Sequence, residues 1–186
     1  MNVDFLIIIL SAILLINASR GEEETAFLNA PEMKTKNQWR IVNDGVMGGL
    51  SSSKALIENN KIIFSGNVSL KNNGGFASLR SPVKDYNFLA FTGIELKIKT
   101  DGKRYSISTK ETPYFTGYFY TASFETKADE WMTIKLPFNQ FKLYYFGRRI
   151  NDSSEIPLDK IKEISFLIGD KQEGDFVAEI DYIKLY

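Results

Sequence analysis

The chain has 186 residues, enough for one domain with a full hydrophobic core, and its 23 Lys and Arg balance its 23 Asp and Glu. This balance argues against a nucleic-acid partner or a general affinity for anionic membranes. The sequence contains no His and no Cys, which excludes Ser-His-Asp and Cys-His catalysis, zinc sites built on His or Cys, and disulfides. Most enzyme classes are therefore disfavoured, while carboxylate chemistry and oxygen-liganded calcium or magnesium stay open; we predict no cofactor and assign no metal site.

The N-terminus carries an apolar run of twelve residues, Phe5 to Ile16, followed by Ala18 and Ser19. A membrane span needs about 20 apolar residues, so the run is typical of a signal peptide at residues 1–19, with a membrane anchor as the weaker alternative. Mitochondrial presequences are rich in Arg and poor in acids, whereas this stretch contains Asp4 and no basic residue. The sequence thus predicts an exported protein, secreted or periplasmic, without an integral membrane span after cleavage.

Residues 20–38 are polar, with three consecutive Glu and Pro31, and we predict a linker there. From Trp39 onward, apolar side chains recur with a period of two; Ile94, Leu96 and Ile98, for example, alternate with charged residues. Clusters of Gly, Asn and Asp separate these runs, as turns do. We predict one all-β domain at 39–186, a β-sandwich, with a bulge or a strand buried on both faces in its last run.

The segment from Trp39 to Ser53 contains Gly45, Gly48 and Gly49 next to Asp44. Three glycines this close indicate backbone angles or close approaches that a side chain would prevent. Backbone amides in such a loop could bind an anion, but no nucleotide-binding glycine pattern is present, so a tight structural turn is the favoured interpretation. If either of the last two glycines has a positive φ, replacing it with Ala should reduce stability.

Aromatic residues cluster in two later stretches, and exposed rings on a β-sandwich can stack on sugar faces. Tyr118, Tyr120 and Phe124 share one strand face and are predicted to fill the core, while Arg148 and Arg149 are interpreted as surface charge. A facing pair of carboxylates for glycoside hydrolysis stays open as a weaker alternative. The candidate stacking residues are Tyr114, Phe115, Tyr144, Tyr145 and Phe146.

Several uncommon strings in register resemble the complex I intermediate-associated protein 30 family over Trp39 to Tyr186. The resemblance rests on the opening tryptophan, the NDGVMGG loop with Ser51, the NGGFAS loop with Arg80, the Asp101-Gly102 turn, Trp131 with the LPF segment, and the stretch from Asp170 to Phe176. We take the candidate site from these motifs. Its residues are Trp39, Asp44, Met47, Gly48, Gly49, Ser51, Gly74, Gly75, Phe76, Arg80, Asp101, Trp131, Asp170 and Phe176.

The resemblance implies a jelly-roll sandwich like that of galactose-binding domains. It also implies a non-enzymatic, chaperone-like role as an assembly factor with a protein partner, an assembly intermediate. By analogy, Arg80 and Asp44 are expected to form a buried ion pair between the two glycine loops. The alternative function is that of a secreted carbohydrate-binding module with a glycan ligand.

Overall fold

The computed structural model describes residues 26–29, 39–114, 116–151 and 154–186. Within these ranges the chain is built from strands and three short 3-10 turns, Asp44–Met47, Lys71–Asn73 and Phe138–Gln140. The strands are β1 (Ala26–Asn29), β2 (Arg40–Asn43), β3 (Ser52–Glu58), β4 (Lys61–Val68), β5 (Ala77–Arg80), β6 (Gly93–Asp101), β7 (Tyr105–Lys110), β8 (Tyr118–Phe124), β9 (Ala128–Pro137), β10 (Lys142–Tyr145), β11 (Arg148–Arg149), β12 (Glu163–Ile168) and β13 (Gly174–Leu185).

Two antiparallel sheets form a sandwich, as the period-two pattern predicted. One sheet has the order β3-β4-β13-β6-β9, with β1 also paired to β13, and the other has the order β11-β10-β8-β7-β12-β5-β2. Neighbours in these sheets are often distant in sequence, because β13 lies between β4 and β6 and β12 lies between β7 and β5. The chain therefore brings residues from its two ends together in each sheet.

The core lies between the inner faces of the sheets and is rich in aromatic rings. Phe166 of β12 stacks on Tyr105 of β7 with a centroid distance of 5.3 Å, and its edge meets Phe64 of β4 at 6.0 Å. Phe176 packs against Phe64 at 5.0 Å. The contact between Phe64 and Phe166 joins the two sheets directly, and the other two pack rings within each sheet's inner face, which explains why alternate positions on each strand must be apolar.

Two predictions about the strands need correction. Tyr118 does not fill the core with Tyr120 and Phe124, because it stands at the open end of β8 with 47% of its surface exposed. The predicted linker at residues 20–38 contains β1, which pairs with β13 and buries Leu28 completely.

One further prediction is confirmed by the strand register, and another concerns residues outside the described ranges. The register of β13 against β6 shifts between Ile180 and Tyr182, which confirms the bulge predicted for the last run. The predicted signal peptide at residues 1–19 lies outside the described residues. Across the part of the chain that the structure describes, no helix has the length and apolar character to span a membrane.

Candidate binding surface

The loop after β2 turns through the 3-10 segment Asp44–Met47 and ends at Gly48. Gly48 has a φ of 88°, a left-handed conformation that costs glycine nothing sterically. Its N–H donates to the carbonyl of Gly45 at 3.1 Å, and the N–H of Gly49 donates to the carbonyl of Asp44 at the same distance. A positive φ, considered for either of the last two glycines of the motif, is thus present at Gly48.

The Asp44 carboxylate lies where the two glycine-rich loops meet, and it is fully buried. It accepts hydrogen bonds from the Ser51 hydroxyl, the Ser51 N–H at 2.9 Å, the Gly75 N–H at 2.6 Å and the Phe76 N–H at 3.3 Å. Burial acts to raise the pKa of Asp44, but these hydrogen bonds outweigh it and hold the pKa below its usual value. We call this arrangement the Asp44 centre.

Two of the glycines leave the space that Asp44 occupies. A Cβ at Gly49 would overlap the Asp44 carboxylate, and a Cβ at Gly74 would lie 2.6 Å from its Oδ2. Real Cβ atoms do not approach this closely, so a larger residue would displace the carboxylate or one of the loops. The glycine spacing in both motifs therefore has a structural cause, the burial of one carboxylate between two loops.

The Asp44 centre leaves a run of apolar side chains in solvent. Val46 is 74% exposed, Met47 50% and Leu50 58%. Asp44 and Ser51, which bracket this run, are both fixed by the hydrogen bonds of the centre. Residues 46–50, which we call the apolar loop, thus present apolar surface from a backbone that is anchored at both ends, a feature typical of protein contacts.

Arg80 does not pair with Asp44, so the expected ion pair between them is wrong. On β5, Ala77 pairs with Asn43 next to Asp44, whereas Arg80 lies three residues further along. At about 3.3 Å per strand residue, this separates Arg80 from the Asp44 centre by about 10 Å. The Nη1 atom of Arg80 instead lies 3.6 Å from Oε1 of Glu163.

Glu163 is fully buried and is surrounded by three cations. Arg40 donates through Nη2 to Oε2 of Glu163, and the Lys110 Nζ lies 3.2 Å from Oε1, beside Arg80. Arg80 also donates through Nε to the Ser78 hydroxyl at 3.0 Å. Burial lowers the pKa of Arg80, and the neighbouring Glu163 opposes that effect. We call these four charged residues the Glu163 cluster.

The strand register extends the Glu163 cluster into a line across the whole outer face of the seven-stranded sheet. Cross-strand partners share a face, so pairs such as Arg40 with Arg80 and Tyr144 with Arg149 belong to the same side. The Arg80 guanidinium lies 5.9 Å from the centre of the Phe119 ring and links the two halves of the line. The partner of Arg80 on β12 is Ser165, and Glu163 lies two residues from it on the same face, opposite Lys110. The basic row, as we call it, takes one outward residue from each strand in sheet order: Arg40, Arg80, Glu163, Lys110, Phe119, Tyr144 and Arg149.

Three exposed rings gather at the hairpin between β10 and β11. The Tyr145 ring lies 4.6 Å from Tyr118 and 4.6 Å from Phe146, measured between centroids. Phe146 and Gly147 form the two-residue turn with φ values of 45° and 74°, a geometry usually given to Asn-Gly. A bulky side chain in the left-handed region is uncommon. This exception places the Phe146 ring beside Tyr145, and we call the three rings the aromatic trio.

The five predicted stacking residues do not form one cluster. Tyr145 and Phe146 belong to the aromatic trio, while Tyr144 points to the opposite side of β10 and belongs to the basic row. Tyr114 is 76% exposed in the preceding loop, and Phe115 lies outside the described residues. Tyr118, predicted to be buried, takes part in the trio instead.

The remaining predicted site residues lie apart from the Asp44 centre. Trp131 is on the outer face of the other sheet, 5.0 Å below the Lys61 ammonium. Asp101 accepts from the Tyr105 hydroxyl at 2.9 Å, and Asp170 lies in a turn. Trp39 and Phe176 are core residues, at 7% and 3% exposure.

Catalytic and metal chemistry finds little support in the side chains. Within the described ranges, no three His, Cys, Asp or Glu residues come close enough together to hold a metal ion. Carboxylates on the outer face of the six-stranded sheet are paired with lysines, as Asp181 is with Lys61 at 2.9 Å and Glu179 with Lys99 at 2.5 Å. A catalytic pair of carboxylates needs one group to act as an acid and the other as a base or nucleophile, and salt bridges to lysines disfavour the protonated form.

The family model for complex I intermediate-associated protein 30 matches residues 27–180. The chain belongs to this family. It is 23% identical over 176 residues to the mitochondrial complex I intermediate-associated protein 30 of Mus musculus, an alignment that covers 83% of this chain and 54% of the mouse protein. It is 28% identical over 169 residues to a probable mitochondrial member from Caenorhabditis elegans, covering 80% and 50%. The chain thus spans about half the length of these two relatives.

Among solved structures, the chain is similar to a family 11 carbohydrate-binding module from Clostridium thermocellum, described in complex with a mixed-linked tetrasaccharide. The TM-score is 0.61 and the sequence identity 22%, over 86% of this chain and 94% of that chain. Identity this low shows the fold alone. It confirms the jelly-roll sandwich of the galactose-binding type, and the family match confirms the resemblance inferred from the motifs.

The family match also corrects the predicted location. Both named relatives are mitochondrial proteins, which contradicts the prediction of an exported, secreted or periplasmic protein. The apolar run from Phe5 to Ile16 was interpreted through its hydrophobicity and lack of Arg, and this pattern misled the assignment of the compartment.

Within this member of the complex I intermediate-associated protein 30 family, sequence reasoning missed three members of the Glu163 cluster. Arg40, Lys110 and Glu163 are separated by 70 and 53 positions in the sequence, and no motif joins them. The available signal was weak: Glu163 falls out of phase with the apolar positions of β12, as solvent-facing charges commonly do. Only the strand order shows that the three share one face.

Proposed function

We propose that this chain is a non-enzymatic, chaperone-like binding module that acts on a protein assembly intermediate in the mitochondrion. The observation that carries the proposal is the apolar loop, 46–50, exposed on a backbone that the Asp44 centre anchors. A surface that is already ordered loses little conformational entropy on binding, so anchored apolar residues contribute more of their burial energy to affinity. The names of the mouse and worm relatives support the class of partner and the compartment.

Capture of a partner from mitochondria of the source organism tests this proposal. Full-length tagged chain is compared with two variants, Leu50→Asp in the apolar loop and Leu89→Asp as the matched control, because the two leucines are 58% and 64% exposed. We expect a subunit of a multi-subunit complex to be retained by the wild type and the control, and reduced at least tenfold by Leu50→Asp. Equal recovery with both variants, or no subunit retained by the wild type, would contradict the proposal.

A second candidate function, glycan binding, is favoured by the aromatic trio. Phe146 occupies a turn position that suits Asn, and its ring is 54% exposed next to Tyr145, so core packing does not account for a ring at this position. Exposed rings of this kind stack on the apolar faces of sugars. A glycan array would be silent for Tyr145→Ala and unchanged for Trp131→Ala, an exposed aromatic of the other sheet, if the trio binds glycans. A silent array for the wild type removes this candidate.

A further inference from the structure

The outer face of the seven-stranded sheet is strongly positive, although the whole chain is neutral. Counting the outward positions of β2, β5, β7, β8, β10, β11 and β12, all of them described, there are five cations against one carboxylate, a net of four positive charges. Side chains along each strand point alternately to the core and to the outer face, so the outward residues are those that alternate with the buried core residues. The cations are Arg40, Arg80, Lys110, Lys142 and Arg149, and the carboxylate is Glu163.

The positive charge is concentrated where solvent compensates it least. The side chains of Arg80 and Lys110 are only 13% and 8% exposed, yet they share a single carboxylate with Arg40. Cations held away from water are costly unless anions balance them. The Glu163 cluster therefore has an electrostatic deficit that a second anion would relieve.

The cluster also has donors to offer. Lys110 and Arg80 form salt bridges to Oε1 of Glu163 at 3.2 and 3.6 Å, and among the described residues no well-aligned hydrogen bond to that oxygen accompanies them. An arginine has five N–H donors and a lysine three. An incoming carboxylate could thus bind to these cations without breaking the bond between Arg40 and Glu163.

The dimensions of the basic row suit an extended polypeptide. Seven strands spaced about 4.8 Å apart set a span of about 29 Å from Arg40 to Arg149, the length of roughly nine extended residues at about 3.3 Å each. Alternate residues of an extended chain point to the same side. Acidic side chains at alternate positions would therefore face the cations of the row.

We propose that the basic row binds an acidic, extended polypeptide segment of a partner protein, with its carboxylates on the Glu163 cluster at one end and on Arg149 at the other. The inference rests on the proposed function only for the class of occupant, a protein. Its surface is separate from the Asp44 centre that anchors the apolar loop, which lies about 10 Å from Arg80 along β5. Charge complementarity steers such partners and selects against others.

Fluorescence anisotropy with the full chain and a labelled nine-residue Glu-Ser repeat peptide tests the proposal at low salt. The variants are Arg149→Gln and Arg40→Gln at the two ends of the row, with Lys54→Gln, an exposed lysine on β3 of the other sheet, as the matched control. We expect each row variant to weaken binding at least fivefold, the control to stay within twofold, and binding to weaken as salt is raised. Arg149 is exposed at a hairpin, so its replacement keeps the test valid if Arg40→Gln fails to fold.

A Gln-Ser repeat peptide of the same length controls for charge, and oligogalacturonate and a nine-residue oligothymidylate compete as other anions. Equal binding of the Gln-Ser peptide, equal loss in the control variant, or no binding of the Glu-Ser peptide would overturn the proposal. So would displacement by the glycan or the oligonucleotide at lower concentration than unlabelled peptide. Leu50→Asp should leave peptide binding unchanged. The peptide assay therefore tests the basic row alone, and the capture experiment tests the apolar loop, so that either proposal can fail without the other.

Discussion

Asp44 and Glu163 are both fully buried carboxylates, but different donors surround them. Asp44 accepts hydrogen bonds from three backbone N–H groups and one hydroxyl, all neutral. Glu163 lies among three cations, two of which form salt bridges to the same oxygen at 3.2 and 3.6 Å. The hydrogen bonds of Asp44 come from neutral groups, whereas Glu163 carries one negative charge among three positive ones.

The two kinds of donor suggest different roles, a structural one for the Asp44 centre and a ligand-binding one for the Glu163 cluster. Neutral donors fix the position of Asp44 and both glycine loops, and because its carboxylate is fully buried and already hydrogen bonded, a ligand cannot reach it. Cations around Glu163 stabilise that carboxylate and also leave a net positive charge on the outer side of the sheet. We therefore interpret the Asp44 centre as the support of a binding loop and the Glu163 cluster as part of a binding surface.

Removing the charge of Asp44 should have the largest effect on stability. Asp44→Asn loses charge-assisted hydrogen bonds and sets an amide against the N–H of Gly75, so we expect a loss of about 3 kcal/mol in the free energy of unfolding. Chemical denaturation measures it, with Asp159→Asn, an exposed turn residue, as control. A loss no larger than that of the control would mean that the Asp44 centre is dispensable.

The same variant tests the lowered pKa of Asp44. A depressed folded pKa gives stability that is fully present above the unfolded pKa of about 3.9 and is lost as pH falls through the folded value. The difference between wild type and Asp44→Asn should therefore be constant from about pH 5 to 7 and shrink below about pH 4. A difference that does not change with pH would show that the charge of Asp44 contributes nothing.

The glycines around Asp44 should show graded effects. Gly49→Ala places a Cβ against the Asp44 carboxylate and should cost about 2 kcal/mol, since overpacking forces the carboxylate to move. Gly48→Ala has free space but a φ of 88°, so about 1 kcal/mol is expected. Gly45→Ala, with open space and no positive φ, is the matched control. Thermal melts that do not separate Gly49→Ala and Gly48→Ala from Gly45→Ala would contradict this.

Glu163→Gln should cost less stability but change binding in a diagnostic direction. Breaking a fully buried pair costs about 3–5 kcal/mol, but Arg40, the cation that is hydrogen bonded to Glu163, is 44% exposed and can be solvated instead, so about 1 kcal/mol is expected. Affinity for the Glu-Ser peptide should rise at least threefold, because the row gains one net positive charge. Glu179→Gln, on the outer face of the other sheet, should leave affinity unchanged. Weaker binding by folded Glu163→Gln would place the carboxylate among the ligand contacts and would contradict our description of the row.

Local patterns predicted the parts of the site that local backbone creates. The need for a glycine at position 48 follows from a turn of a few residues, and the bulge in β13 follows from a shift in the apolar phase. Tyr118 was wrongly predicted to be buried. The alternation of apolar residues predicts which face of the sheet a side chain occupies, but it does not show that Tyr118 lies at the exposed end of β8. The partner of Arg80 was misplaced because its pairing with Asp44 was expected only by analogy, and no local pattern shows that the strand order brings Glu163 to Arg80.

The sequence by itself determined the all-β class, the turn positions, the exclusion of His and Cys chemistry and the family. These properties reside in composition, in the period of apolar residues and in short motifs, and each is set within a few residues. Only the tertiary structure decided that β1 joins a sheet, that Asp44 is held by neutral donors and that seven strands align the basic row. Strand order and register join residues as distant as Arg40 and Glu163, and a residue's cross-strand neighbours are fixed only when the whole sandwich has closed.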